Sequence, residues 1–135
     1  MTSQIVYEGN LRTIATHLPS GTTIETDAPV DNQGKGERFS PSDLVATALG
    51  SCMLTIMGIK ARDMGLTLEG TNINITKKMI ADPRRIGEIK VSIQFPDELK
   101  ADDKQRTILE RAAMTCPVFE SLHADMIKDV EFVWD

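Results

Sequence analysis

The stretch SPSDLVATALGSCMLTIMGIKARDMG, residues 40–65, constrains the fold of this chain more than any other segment. Ser40 and Pro41 make a good helix start, because serine caps free backbone N–H groups and proline needs no N–H in the first turn. Gly65 supplies the left-handed cap that ends a helix. Between them, apolar or small side chains point in nearly every direction, which is typical of a buried helix. The segment predicts one helix of about 24 residues, roughly 36 Å long, inside the core.

The segments on either side of this helix predict a mixture of strands and helices. Three strand-like runs precede the helix; two strands, two helices and a final strand follow it. The runs are 4–16 (split at Gly9 and Asn10), 22–29, 66–80, 86–95, 101–116, 117–125 and 127–135. Strands in hairpins with helices between them are typical of the α+β class. We therefore expect antiparallel sheets around a long buried central helix.

Composition limits the classes of protein that this chain can belong to. Its 135 residues suit a single domain, 1–135, with 41% hydrophobic and 26% charged residues. The net charge of −5 argues against nucleic-acid binding, which needs a basic stripe. The first ten residues lack the features of a secretory signal, and no uninterrupted apolar run predicts a membrane span, so we expect a cytoplasmic protein. A central helix this apolar is hard to cover with one sheet, which predicts a homodimer.

The chain has only two cysteines, Cys52 in the middle of the apolar helix and Cys116 directly before Pro117. Both fit a structural role, since free cysteine is among the most buried residue types. Cys116 also precedes a new helix N-terminus, a position that lowers a thiol pKa and favours the thiolate. A reactive Cys52 would need a nearby cation. The residues alone leave both interpretations open.

No pattern in the chain predicts a metal or cofactor site. His17 and His123 stand apart from any zinc-ligand spacing. The stretch GKGE at 34–37 lacks the strand and the spacing of a phosphate-binding loop. We therefore expect no bound metal and no cofactor.

Two motifs carry a resemblance to a known family. SPSDLVATALGSC followed by a long apolar helix, and CPVFESL 64 positions after the first cysteine, resemble the OsmC/Ohr family of osmotically inducible and organic hydroperoxide resistance proteins. The resemblance covers nearly the whole chain and its order of elements. It implies an intertwined homodimer with two long helices packed back to back. It also implies that Cys52 is a peroxide-attacking cysteine and Cys116 its resolving partner, with an organic hydroperoxide as substrate and a lipoyl-type dithiol as reductant.

The chain departs from the family pattern at two supporting positions. Where the best-studied members carry a glutamate ten residues before the first cysteine, this chain has Ser42, and the nearest acid, Asp43, is one residue out of register. The family also places an arginine beside the reactive thiolate, and Arg12 and Arg38 are the candidates here. Asp43 lies about 14 Å along the helix from Cys52, so it would assist only across a dimer interface.

Three hypotheses for function follow from these observations. The first is a cysteine-based peroxidase that removes organic hydroperoxides as an antioxidant in oxidative-stress defence. The second is a non-enzymatic dimer of the same fold that binds a hydrophobic small molecule in an apolar, methionine-lined groove. The third makes both cysteines core residues of a scaffolding dimer.

Overall fold

The computed structural model describes residues 1–134 of the chain, and its elements follow the predicted order. They are β1 (Ser3–Gly9), β2 (Arg12–His17), β3 (Thr23–Asp27), a 3-10 turn (Val30–Asn32), α1 (Pro41–Asp63), β4 (Asn72–Ile80), β5 (Arg85–Gln94), α2 (Asp103–Met114), α3 (Pro117–Ser121) and β6 (Ile127–Val133). Asp135, which was predicted to belong to the last strand, lies outside the described residues. The α+β class is confirmed. Contacts group the chain into two compact units, Met1–Val45 and a second unit that begins at Ala46.

The long helix α1 has 23 residues and begins with a reciprocal cap. The backbone N–H of Asp43 donates to the Ser40 hydroxyl at 3.0 Å, and the Ser40 N–H donates to the Asp43 carboxylate at 2.9 Å. Two otherwise unpaired helix N–H groups are satisfied in this way. The predicted helix start is therefore correct to within one residue.

Within the single chain, only one face of α1 is buried. Its buried residues recur every three or four positions: Ala46, Leu49, Gly50, Met53, Met57 and Ala61. Val45 and Ile59, on other sides, are exposed. The helix is long and apolar enough to cross a membrane, contrary to the sequence-based expectation, yet it is a core helix of the fold. The prediction of burial on nearly all sides does not hold within one chain.

The first unit is built on a three-stranded antiparallel sheet in the order β1-β2-β3. Asn10 and Leu11, both with positive φ, make the tight turn between β1 and β2. The register of β2 with β3 pairs Arg12 with Asp27 directly across the strands. This sheet therefore brings a cation and an anion together by backbone pairing alone.

The second unit contains a sheet in the order β4-β5-β6, and one of its pairings differs from the prediction. β4 and β5 form the expected antiparallel hairpin, whereas β6 runs parallel to β5. Parallel neighbours need a crossover connection, and α2 and α3 provide it. The expectation of purely antiparallel sheets is therefore wrong for β6.

The core of the second unit lies between α1, the sheet and α2. Alternate residues of β5 and its extension are buried, as their spacing predicts: Ile89, Val91, Ile93 and Phe95. α2 adds Leu109 and Ala113, and Cys116 completes the same buried cluster. Gly50 lets α1 approach β4 closely, because a Cβ there would lie 2.9 Å from Ile75 Cδ1.

Several element ends differ from the sequence-based bounds. β4 starts at Asn72, so residues 66–71 form a connection instead of a strand. α2 starts at Asp103, after a capping box in which Asp102 and Gln105 bond each other's backbone N–H groups. α3 is a single turn that ends at Ser121, shorter than predicted.

Candidate thiol site

The two cysteines come from different elements of the second unit. Cys52 lies on α1 directly before the buried Met53, at the edge of the buried face, and is half-buried. It packs against the core cluster without belonging to its fully buried set. The register of α1 against the sheet therefore gives this thiol partial access to solvent.

Cys116 is completely buried and holds the junction between α2 and α3. Its backbone N–H donates to the Ala113 carbonyl at 3.4 Å, which ties it to the end of α2. Its sulfur caps α3 by accepting the N–H of Phe119 at 3.4 Å, and Pro117 occupies the first helical position. The sequence Cys-Pro thus works as a helix start with a thiol as the cap.

The structure brings the two cysteine side chains close together. Both cysteines are free, and Cys52 lies near enough to Cys116 to alter the pKa of its thiol. A buried sulfur on the α2–α3 junction thereby meets a half-buried sulfur on α1. Their roles in catalysis stay predictions, and a redox pair requires two cysteines that lie close together in this way.

The pKa of the Cys116 thiol is raised above its ordinary value, mainly because burial disfavours the thiolate. The neighbouring Cys52 side chain raises it further. The N–H groups of Phe119 and Val118 act in the opposite direction, as expected at a helix start, but they are outweighed. The helix start therefore acts in the predicted direction, but the prediction that the thiolate of Cys116 is favoured is wrong.

Arg12 is held by a buried carboxylate of the first unit. Its Nε and Nη2 donate to the two carboxylate oxygens of Asp27 at 2.7 and 2.8 Å, and Asp27 is only 1% exposed. The N–H of Glu37 also donates to Asp27 at 3.1 Å. The hydrogen bond to Arg12 lowers the pKa of Asp27, and the same bond raises the pKa of Arg12. Arg12 was a predicted site residue, whereas its partner Asp27 was not.

Arg38 and Asp43 are also engaged within the first unit. Arg38 lies 3.4 Å from the Glu25 carboxylate and donates to the Glu37 carbonyl at 2.9 Å. Asp43 is the partner of Ser40 in the α1 cap. The Ser42 hydroxyl, at the position of the family glutamate, lies 3.2 Å from that of Ser40. The structure thus places Asp43 in helix capping, and gives both arginines acidic partners.

Among residues 1–134, no group of three or more histidine, cysteine or acidic side chains has the arrangement of a metal site. The two cysteines place a pair of sulfurs side by side. An apposed thiol pair can form a disulfide with the loss of two electrons and two protons, and it can be restored by thiol exchange.

The second unit combines a long core helix with two neighbouring cysteines, within an α+β fold. The family profile of OsmC-like proteins matches residues 34–129 of the chain. The chain therefore belongs to the OsmC-like protein family. No match was found among curated proteins.

A solved structure from Psychrobacter arcticus 273-4 shares 54% sequence identity with this chain. It is provisionally named an osmotic stress induced and detoxification response protein. The match covers 98% of this chain and 95% of the other, with a TM-score of 0.93.

More distant structures share the fold. An OsmC-like protein of unknown function from Vibrio cholerae is 12% identical over 97% of both chains, with a TM-score of 0.79. An organic hydroperoxide resistance protein OsmC from Legionella pneumophila is 13% identical over 99% of this chain and 98% of its own, with a TM-score of 0.76. These two likenesses establish architecture alone.

Proposed function

We propose that this protein is a thiol-dependent peroxidase that reduces organic hydroperoxides through Cys52 and Cys116. The observation that carries the proposal is the closeness of the two thiols, one half-buried and one buried. Membership of the OsmC-like family supports it, because the Legionella relative is named an organic hydroperoxide resistance protein.

The reaction has three balanced steps. The Cys52 thiolate attacks one oxygen of the hydroperoxide; an S–O bond forms, the O–O bond breaks, and the alcohol leaves with a proton, giving a sulfenic acid. The Cys116 sulfur then attacks the oxidised sulfur; an S–S bond forms and water leaves. A dithiol reductant of lipoyl type restores both thiols by two exchanges and becomes a disulfide itself.

The burial of each cysteine favours this assignment of roles. Peroxide needs access to the attacking sulfur, and only Cys52 has it. Cys116 is shielded from solvent, and its raised pKa keeps it as a thiol until the sulfenic acid forms beside it. The proton of that thiol is then available to the departing hydroxide.

The same proposal includes a cytoplasmic homodimer. Ile5, Val6 and Tyr7 of β1 are all more than half exposed, and Val45 and Ile59 leave α1 uncovered on one side. Exposed apolar side chains, in each unit taken by itself, are typical of surfaces that a second copy covers. Sedimentation of the purified protein measures this state directly.

The test of the peroxidase is a thiol count on reduced protein after a stoichiometric addition of cumene hydroperoxide. We expect rapid loss of both thiols and an intramolecular Cys52–Cys116 disulfide by mass spectrometry. Cys52→Ser should abolish turnover, whereas Cys116→Ser should stop at a trappable sulfenic acid. Ser51→Ala, which alters the exposed neighbour and neither thiol, is the matched control.

Two outcomes would contradict the proposal. If Cys52→Ser retains turnover, the assigned nucleophile is wrong. If both thiols still titrate after prolonged exposure of the native protein, the chain lacks the chemistry of its hydroperoxide-resistance relatives. That result would favour the second hypothesis, a dimer that binds a hydrophobic small molecule.

A further inference from the structure

A cavity lies away from the cysteines, where the β4–β5 hairpin meets the segment that follows α3. It has a volume of about 250 Å³ and contains neither cysteine nor a direct neighbour of one. Its apolar wall comes from Ile80, Ile86, Gly87 and Met126. We propose that this cavity is a binding site for a small monocarboxylate with an apolar body, unrelated to the peroxidase chemistry.

The shape of the wall depends on close packing at Gly87. A Cβ at this buried position would lie 2.6 Å from Ile80 Cγ2, so the glycine allows the Ile80 side chain to fold across the hairpin. Ile86 and Met126 pack against the main core on their other sides. The cavity is therefore a built feature of the second unit and offers an apolar ligand a surface that is already in place.

Arg85 supplies the charge that selects a carboxylate. Its Nη1 donates to the carbonyls of Ala81 at 3.0 Å and Pro83 at 2.7 Å, which fixes the guanidinium over the hairpin turn. Within residues 1–134, its Nε and Nη2 groups have no acceptor. A positioned guanidinium with an unused pair of donors matches the two oxygens of a carboxylate.

The other polar residues of the cavity are compatible with an anion. The Nδ1 of His123 accepts the N–H of Asp125 at 3.0 Å, so in the neutral ring the Nε2 carries the proton and can donate to a ligand. The Asp125 side chain is 92% exposed, and its repulsion of an anion is screened by solvent. Arg85 therefore dominates the charge that a bound group meets.

The volume sets the size of the ligand. A cavity of 150 Å³ holds benzene, so about 250 Å³ accommodates roughly ten non-hydrogen atoms. A carboxylate on an aromatic ring or on a short acyl chain has this size. Longer acyl chains would have to leave the cavity for solvent.

The test uses the full-length protein with 13C-labelled methionine methyl groups and 4-methylbenzoate as the probe. Of the seven methionines, Met126 lines the cavity, whereas Met53 and Met57 are fully buried elsewhere and serve as internal references. We expect the Met126 methyl resonance, assigned with Met126→Leu, to move saturably at millimolar probe concentrations. The reference signals should stay in place.

Charge selection is tested with one variant pair and one ligand pair. Arg85→Gln should weaken binding about tenfold or more, whereas Arg84→Gln removes the same charge from a neighbour outside the cavity and should change it little. The neutral isostere 4-methylbenzamide should bind at least tenfold more weakly than the acid. Cys52→Ser protein should bind normally, which separates this site from the peroxidase.

Specific results would overturn the proposal. An unmoved Met126 signal at saturating probe, or a shift centred on another methionine, would remove the site. Equal affinity for the acid and the amide, or equal effects of the two arginine variants, would show that the cavity does not select a carboxylate.

Discussion

Gly50 allows the helix–sheet contact of the second unit to be tested with a double-mutant cycle. Replacing an interior helical glycine by alanine stabilises a helix by about 1 kcal/mol. At Gly50, however, the new Cβ would lie 2.9 Å from Ile75 Cδ1 and 3.2 Å from Ile73 Cγ2, and such overpacking costs about 1–3 kcal/mol. The net result for Gly50→Ala is a loss of about 0–2 kcal/mol.

Ile75→Val removes the Cδ1 atom that causes the closest contact. Alone it should cost about 1 kcal/mol, the usual loss for deleting one buried methyl group. In that background Gly50→Ala should become stabilising by up to about 1 kcal/mol, because the helix gain remains and the main clash is gone. The two substitutions should therefore couple favourably by about 1 kcal/mol or more.

The assay is urea unfolding followed by circular dichroism, for the four proteins of the cycle at one common concentration. Equal slopes with denaturant would show that midpoints report stability. Additive effects of the two substitutions would refute the reasoning, since they would mean that the Cβ at position 50 does not meet Ile75.

Three further predictions concern individual side chains. Asp27→Asn should reduce stability at neutral pH and lose its effect in acid. Arg12 lowers the pKa of Asp27 from 3.8, so the ion pair stabilises the fold above that value and is lost as the pH falls through the lower folded pKa. Unfolding curves of wild type and variant that stay apart well below this pH range would contradict the prediction. Asp43→Ala should cost about 1 kcal/mol in urea unfolding through loss of the α1 cap, and Asp43→Asn should restore part of it. Native-state alkylation should label Cys52 before Cys116, because burial shields the Cys116 thiol and raises its pKa above that of an ordinary cysteine. Faster labelling of Cys116 would refute this prediction.

The start of α1 and the buried face of β5 could be predicted because their signals are local. The cap of α1 is written in Ser40 and Pro41, and the alternation of Ile89, Val91 and Ile93 predicts the buried face of β5. Both patterns depend on neighbours within a few residues, so tertiary contacts have little room to override them.

The direction of β6 could not be predicted in the same way. Its alternating residues suit either orientation, and only the crossover through α2 and α3 decides that it runs parallel to β5. The extent of α1 burial could not be predicted either, because an apolar helix does not specify how much of its surface one chain can cover.

In the candidate site, too, local features could be predicted and features that depend on tertiary contacts could not. Two cysteines on predicted helices could be named from the sequence, but the raised pKa of Cys116 depends on burial, which outweighs the helix-start effect. The partner of Arg12 required the β2–β3 register. An alternating hairpin pattern that placed Asp27 opposite Arg12 was the one signal that could have found it.

The parallel pairing of β6 has a consequence for the order of events in folding. Glu88 pairs with Ile127, 39 positions away, whereas α1 forms through contacts between near neighbours. Contacts between distant positions form more slowly. During refolding, α1 with Cys52 should therefore form before Cys116 reaches it. A sulfenic acid formed on Cys52 in that interval would have no neighbouring thiol to react with. On the proposed peroxidase chemistry, a second peroxide molecule would oxidise this sulfenic acid to the irreversible sulfinic acid. Hydroperoxide should therefore inactivate the refolding chain, whereas the native protein should recover from the same dose.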